Sequence, residues 1–366
     1  MRKIRVLIVD DAVVVRRIVT DALSADPELE VVGTAANGKI GLAKIPQVNP
    51  DVITLDMEMP EMDGLETLAA IRKLYPRLPV IMFSTLTARG ASATLDALSL
   101  GANDYVTKPA NVGSVAAAQQ SLRDQLIPKI KVLYNKTIQR PVAPIAVKPT
   151  IVKPVRPAST ITSVIDVVAI GVSTGGPNAL CEVLPAIPGS FPVPIVIVQH
   201  MPPMFTKLLA ERLDKQCEID VHEGAFNDHV LDGNAYIAPG DFHMIVKRDS
   251  KNTCLSLHQG PQENSCRPAV DVLFKSVVEI YGAGTLGVIM TGMGQDGLRG
   301  CELIREAGGQ VITQDEESSV VWGMPGFVTR AGLADACLPL NEIAAEIVRR
   351  VQKGRRESVA KVAACS

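Results

Sequence analysis

Three carboxylates, a lysine and a serine stand at or just after short apolar runs in the first third of the chain. These residues are Asp10, Asp11, Asp56, Ser84 and Lys108. Parallel strands end at one edge of a sheet, so we expect the five to meet there. Gathered carboxylates repel one another unless a hard cation such as Mg²⁺ lies between them. With the lysine and the hydroxyl as partners for phosphoryl oxygens, the pattern predicts a phosphate-accepting pocket. The alternative is a set of ordinary loop and capping aspartates.

A serine in a tight, glycine-rich turn is the second feature that could carry chemistry. The run AIGVSTGGPNAL places Ser173 in the form Gly-x-Ser-x-Gly directly after an apolar strand, and Pro177 suits a helix start. Such a strand-to-helix turn lifts a hydroxyl clear of the backbone. The same turn could instead cap a helix or cradle a phosphate. No Gly-x-Gly-x-x-Gly follows, so a dinucleotide site is not favoured.

A nucleophilic serine needs a base and an acid from neighbouring strand ends. Of the five histidines, His200 alone follows a strongly apolar run, PIVIVQ, and His243 in APGDFHM is the second choice. Asp296, in IMTGMGQDG, follows another apolar run and is the candidate acid. Its alternative reading is a simple Asp-Gly turn. The chain order serine, histidine, aspartate differs from that of α/β-hydrolases, which disfavours a lipase or esterase of that fold.

The elements around these residues predict two α/β domains. We expect the first at 1–126 and the second at 165–352, with a polar, frayed tail at 353–366. Between them, residues 127–164 contain no acidic residue and alternate basic residues with prolines, which is typical of an extended linker.

Composition excludes several classes of protein. The chain has 366 residues, 47% of them hydrophobic, and a net charge of -2, which removes the overall basic footprint of a nucleic-acid binder. No apolar run is long enough to cross a bilayer, and the N-terminal run lacks a cleavage signal. Seven cysteines without paired spacing favour reduced thiols. We therefore expect a cytoplasmic protein without membrane insertion.

The first domain resembles the response-regulator receiver family through VLIVDD, LDMEMPEMDGLE and YVTKP. The resemblance implies a flavodoxin-like fold with a parallel five-stranded sheet, phosphorylation by a histidine kinase, and Mg²⁺ as cofactor for that step. It implies these roles: Asp56 as phosphorylated residue, Asp10 and Asp11 as metal carboxylates, Glu58 as a ligand through its carbonyl, Lys108 as phosphate partner, and Ser84 and Tyr105 as switch residues.

The second domain resembles the chemotaxis protein-glutamate methylesterase family through GVSTGGP, VQHMPPMFT, AYIAPGDFHM, RPAVDVLF, TGMGQDG and VVWGMPG. The resemblance implies a mainly parallel, doubly wound sheet and a catalytic set needing no cofactor. It implies these roles: Ser173 as nucleophile, His200 as base, Asp296 as orienting acid, Thr174 beside the serine, and Met293 as oxyanion donor through its N–H. Cys266 stands where the family pattern leads us to expect a histidine, which leaves the role of that flank open.

By this resemblance the protein removes methyl esters from glutamates of chemotaxis receptors and deamidates receptor glutamines, while the unphosphorylated receiver covers the site. Two other classes stay open: a non-catalytic module that binds a partner or DNA, and a small-molecule esterase. The apolar residues expected near the site either grip a receptor helix or belong to the core; they are Met201, Met204, Phe205, Trp322 and Met324.

Overall fold

The computed structural model describes residues 2–108, 115–138, 164–249 and 252–364. The chain divides into two compact units, Met1–Ala146 and Val147–Ser366. Among the described residues, no helix has the length and apolar character needed to span a bilayer.

The first unit is a five-stranded, wholly parallel sheet in the order β2-β1-β3-β4-β5, as expected for a flavodoxin-like receiver. Its strands are β1 (Ile4–Val9), β2 (Leu29–Ala35), β3 (Val52–Asp56), β4 (Val80–Ser84) and β5 (Asp104–Thr107). Its helices are α1 (Val13–Ser24), α2 (Gly38–Val48), α3 (Gly64–Leu74), α4 (Ala88–Ser99) and α5 (Val115–Ile138). Strands β3 and β4 are buried along their whole length because helices cover both faces of such a sheet.

Helix α5 corrects the expected start of the linker. We placed residues 127–138 in an extended segment, yet the helix runs on to Ile138 with Pro128 inside it. The reason is packing, because Leu126, Ile130 and Leu133 are buried at helical spacing. The remaining part of the expected linker, 139–163, lies outside the described residues.

The second unit contains a seven-stranded parallel sheet in the order β14-β13-β12-β6-β7-β9-β8. Its strands are β6 (Val167–Val172), β7 (Ile195–Gln199), β8 (Asp220–Glu223), β9 (Asn234–Ile237), β12 (Thr285–Ile289), β13 (Gln310–Gln314) and β14 (Ala336–Leu338). The chain starts in the middle at β6, builds outward through β7, and later returns to the other side through β12. Strand β6 is therefore the point where the winding direction reverses, and ligands of doubly wound sheets bind beside such a point.

Helices and one hairpin complete this unit. The helices are α6 (Gly176–Val183), α7 (Phe205–Asp214), α8 (Val270–Tyr281), α9 (Leu298–Glu306), α10 (Met324–Arg330) and α11 (Leu340–Ala364). An antiparallel hairpin is formed by β10 (His243–Asp249) and β11 (Asn252–His258). The expected frayed tail is wrong for most of its length, because α11 continues to Ala364.

Candidate active site and phosphoacceptor pocket

The receiver pocket brings together the residues predicted at the strand ends. One carboxylate oxygen from each of Asp10, Asp11 and Asp56 lies within 4.8 Å of the others. The Lys108 ammonium lies 2.7 Å from Asp56 Oδ2 and 3.1 Å from Asp10 Oδ2. Three carboxylates thus face one ammonium, which leaves an excess of negative charge and a set of oxygen donors that suits Mg²⁺.

Burial controls the ionisation of this pocket. It raises the pKa of Asp56 from 3.8 to about 6, against the opposing effect of Lys108. It also raises the pKa of Asp10, while the two aspartates raise the pKa of Lys108 although burial alone would lower it. The pocket therefore holds charges that a bound cation would stabilise.

The remaining receiver candidates lie around Asp56. The Glu58 N–H points at Asp56 Oδ1 across 3.4 Å, so Glu58 is next to the pocket. The Ser84 hydroxyl is buried; it donates to the Gly90 carbonyl at 3.1 Å and accepts from Thr94 at 2.6 Å. Tyr105 is also buried, and burial raises its pKa. In this structure Ser84 is thus bonded to helix α4 and not to Asp56.

Backbone bonds hold the Ser173 turn in the middle of the sheet. The Ser173 N–H donates to the Thr291 carbonyl at 3.0 Å, and the Ser173 carbonyl accepts from Gly176 N–H at 2.8 Å. Gly175 has φ +79°, a left-handed conformation that suits glycine. The buried Gln199 amide donates to the carbonyls of Ser173 and His200, at 3.0 and 3.2 Å. Gln199 therefore ties the serine turn to the histidine strand.

His200 and Asp296 form the central contact of the second domain. His200 Nε2 lies 2.8 Å from Asp296 Oδ2. The same carboxylate is 2% exposed and accepts the backbone N–H groups of Val270, Asp271 and Gly297, at 2.6, 3.0 and 3.1 Å. Asp296 is therefore a buried, multiply hydrogen-bonded acid and not the simple turn residue that the alternative reading proposed.

These contacts set the charge and tautomer of the pair. Burial alone would raise the pKa of Asp296, but His200 and the backbone amides lower it. Burial alone would lower the pKa of His200, but the hydrogen bond to Asp296 and the contact with Cys266 raise it. Because Asp296 is ionised and accepts only, the neutral form of His200 carries its hydrogen on Nε2, which leaves the lone pair on Nδ1.

The base nitrogen and the Ser173 hydroxyl form no hydrogen bond in this structure. The Ser173 hydroxyl makes no hydrogen bond within the described part of the chain, and Cys266 Sγ lies 3.7 Å from His200 Nδ1. Ser173 and His200 are nevertheless neighbours, because His200 N–H donates to the Val172 carbonyl at 3.2 Å. Loose nucleophile–base geometry is common before substrate binds.

The loop with Gly292 and Met293 lies beside Ser173. A Cβ on Gly292 would lie 2.9 Å from Ser173 Cβ, so this loop packs directly on the serine. The Met293 N–H has no acceptor among the described residues, which suits a donor awaiting an anion. Thr174 is buried, and its carbonyl accepts from the Thr291 hydroxyl at 2.8 Å.

Sequence reasoning missed Asn264 and Asp271. Asn264 Nδ2 donates to Asp296 Oδ1 at 2.9 Å and to Asp271 Oδ2 at 2.8 Å. Burial raises the pKa of Asp271 to about 6. The motif RPAVD contains this aspartate, but an acid one residue into a helix signals only a favourable helix start. The second-choice base, His243, is buried and bonds to the Pro261 carbonyl at 2.9 Å.

The five apolar residues expected near the site divide between core and surface. Met201, Phe205 and Met324 are core residues, whereas Met204 is 44% exposed and Trp322 is half-buried. Trp322 is held by its indole N–H, which donates to the Gln314 carbonyl at 3.0 Å, and by the Arg330 guanidinium over its ring.

The fold and these two sites define a response regulator that carries a second α/β domain with a hydrolase-type site. The profile of the response regulator receiver domain matches residues 6–120, and the profile of CheB methylesterase matches residues 168–347. A Trichodesmium erythraeum protein named protein-glutamate methylesterase/protein-glutamine glutaminase is 58% identical, over 96% of this chain and 100% of that protein. One of the same name from Nocardioides is 51% identical, over 97% of each chain.

A solved structure gives the same result for the second domain. The crystal structure of the Thermotoga maritima CheB methylesterase catalytic domain is 44% identical, covers 51% of this chain and 99% of that one, and has a TM-score of 0.50. The chain belongs to the protein-glutamate methylesterase/protein-glutamine glutaminase family.

Proposed function

We propose that the protein hydrolyses the γ-methyl esters of glutamates on chemotaxis receptors and deamidates receptor glutamines, under control of phosphorylation at Asp56. The observation that carries the proposal is the buried Asp296–His200 hydrogen bond at 2.8 Å beside the Ser173 turn. A buried, ionised acid that fixes the tautomer of a histidine is a feature of hydrolase active sites and would not be needed in a non-catalytic output module.

The first half-reaction forms an acyl-enzyme. Ser173 Oγ attacks the ester carbonyl carbon while its proton passes to Nδ1 of His200, and Asp296 stabilises the imidazolium. The carbonyl oxygen becomes an oxyanion, for which the Met293 N–H, without an acceptor among the described residues, and the Thr174 segment are the proposed donors. The tetrahedral intermediate collapses, and methanol leaves with the proton held by His200.

The second half-reaction restores the serine. Water gives its proton to His200 and attacks the acyl carbon, and Ser173 Oγ leaves by taking that proton back. The product is the free glutamate carboxylate. A glutamine side chain passes through the same oxyanion with ammonia as leaving group, so one site serves both reactions.

The receiver supplies control. Asp56 is the proposed phosphoacceptor for a histidine kinase, and Asp10, Asp11, Asp56 and the Glu58 carbonyl would hold Mg²⁺. That ion would neutralise phosphoryl oxygens during transfer. Lys108 would pair with the bound phosphoryl group, and Ser84 would leave Gly90 and Thr94 to bond it, with Tyr105 moving in step. We propose that the receiver ends with α5 at Ile138 and that the catalytic domain begins near 165.

Methanol release from methylated receptor membranes tests the assignment. We expect Ser173→Ala to lower the rate by about 10⁵-fold or more, since the nucleophile itself is lost. Ser190→Ala is the matched control, because Ser190 is an exposed serine of the same domain. A folded Ser173→Ala protein that still releases methanol would refute the serine mechanism. Hydrolysis of small methyl esters at the same rate as receptor esters would favour a general esterase.

A further inference from the structure

One tight turn, residues 263–266, lies against both members of the His200–Asp296 pair. Glu263 and Cys266 exchange backbone hydrogen bonds of 3.1 and 2.9 Å. The two residues between them, Asn264 and Ser265, have φ +52° and +61°. Two successive non-glycine residues in the left-handed region are uncommon, and such strain clusters at functional sites.

The turn directs two side chains at the pair. Asn264 Nδ2 donates to Asp296 Oδ1 at 2.9 Å, while Cys266 Sγ faces His200 Nδ1 at 3.7 Å. The thiol thus faces Nδ1, the imidazole nitrogen that is not bonded to Asp296. That is also the nitrogen which must accept the proton of Ser173.

We propose that Cys266 is a positioning residue for the hydrolase reaction: its thiol occupies Nδ1 of His200 in the resting enzyme and yields it to Ser173 when substrate binds. The proposal rests on the proposed function and adds a regulator of its base. A thiol suits this task because S–H is a weak donor, which orients the ring but is easily displaced by a hydroxyl. A stronger donor would hold the nitrogen and slow the reaction.

The contact also affects proton affinity. When His200 is protonated, Nδ1–H donates to the sulfur, and a hydrogen bond from a charged donor is stronger than one to a neutral ring. Cys266 therefore favours the imidazolium, in the same direction as its effect on the pKa of His200. Besides Asp296, the acids of this neighbourhood are Asp271, reached through Asn264, and Glu263, which acts on Asp271. They stay in place when Cys266 is changed.

The test compares Cys266→Ala and Cys266→Ser in the full-length protein, with Cys337→Ala as control because Cys337 is exposed on β14. Two readouts are needed: the pH profile of kcat/KM for methanol release, and the titration of the His200 imidazole followed by nitrogen NMR. The second readout requires no activity. If the unmodified protein released no methanol, the proposed function would fail while the titration still reported on Cys266.

We expect Cys266→Ala to lower the pKa of His200 by about half a pH unit, because one weak hydrogen bond to the imidazolium is lost. The midpoint of the acid limb of the kcat/KM profile should move to lower pH by the same amount. Cys266→Ser should keep both at or above the unmodified values, because a hydroxyl oxygen is a stronger acceptor than sulfur for Nδ1–H of the imidazolium. It should also lower kcat, because the hydroxyl is a stronger donor than the thiol to the neutral ring. An unshifted His200 titration in the Ala variant overturns the proposal. So does a downward shift in the Ser variant, which tests the idea even if the Ala variant does not fold.

Discussion

Asp296 decides which nitrogen of His200 acts as base, because it is ionised and accepts hydrogen bonds on both oxygens. An asparagine would present an amide N–H to Nε2 and favour the opposite tautomer, with the proton on Nδ1. We therefore expect Asp296→Asn to lower kcat by about 10³–10⁴-fold.

The pH dependence of the Asp296→Asn enzyme gives a second readout. Asp296 raises the pKa of His200, so its loss lowers that pKa, and the residual activity should persist to lower pH than in the unmodified enzyme. Asp232→Asn, at an exposed aspartate of the same domain, is the control for both measurements. Unchanged turnover would reduce Asp296 to a structural role.

The buried Asp56 carboxylate lowers the unfolding free energy of the receiver when it is ionised. Its folded-state pKa is raised from 3.8 to about 6, so ionisation in the folded state costs free energy above that pH, and the cost disappears as pH falls toward 4. Without Mg²⁺, Asp56→Asn should raise the unfolding free energy by about 1–3 kcal/mol at about pH 8 and by much less at about pH 4.

Thermal unfolding at the two pH values checks the Asp56→Asn prediction. Asp21→Asn is the control, because Asp21 is an exposed residue of α1. An equal gain at both values would mean that Asp56 is not the group responsible. The same variant should accept no phosphoryl group.

At the scale of elements, the left-handed backbone of the turn 263–266 places the Asn264 side chain on the acid of the active site. Asn264→Gly keeps the left-handed backbone but removes the amide that bonds Asp296 and Asp271. We expect kcat to fall by about tenfold, since hydrogen bonds to charged groups are the stronger ones. Ser265→Gly is the matched control, because it changes the neighbouring left-handed position without touching the pair.

Kinetics on methylated receptors distinguish the two variants of this turn. Equal losses in Asn264→Gly and Ser265→Gly would assign the effect to backbone flexibility. Loss confined to Asn264→Gly would assign it to the amide bridge. Thermal unfolding of both proteins identifies any loss that follows from reduced stability.

For the whole molecule, the question is whether the receiver restrains the hydrolase. The chain forms two compact units, and the related Thermotoga maritima catalytic domain was solved by itself. If the unphosphorylated receiver covers the site, only a fraction of the enzyme is open to substrate. A truncated chain beginning at Ile161 should then hydrolyse receptor esters faster than the unphosphorylated full chain, and a phosphodonor should reduce the difference.

Initial rates of the truncated, intact and phosphodonor-treated proteins decide this point, with full-length Asp56→Asn as the control that cannot respond. A truncated enzyme no faster than the intact one would rule out restraint by coverage. A phosphorylated chain much faster than the truncated one would mean that the receiver assists catalysis directly.

Much of this protein could be read from its sequence, because the periodicity of buried strands is local. The apolar runs predicted the five parallel strands of the receiver and the central strands β6, β7 and β12 of the second sheet. The residues after those runs, Ser173, His200 and Asp296, were found for the same reason: strand ends in a parallel sheet share one edge. Local patterns do not show the ends of α5 and α11, whose polar stretches are helical in the folded chain.

Tertiary structure alone decided what each of these side chains contacts. Nothing in the spacing of Asn264 and Cys266 indicates that a turn brings both to the His200–Asp296 pair, because Asp296 and His200 lie 32 and 66 residues away from them in the chain. Nor does the sequence indicate that Asp271 on α8 shares the Asn264 amide with Asp296. Nor does the sequence show that Nε2 of His200 bonds to Asp296 while Nδ1 faces the Cys266 thiol. Which nitrogen is free follows from the direction in which two strand ends and a turn meet, and only the packed fold determines that direction.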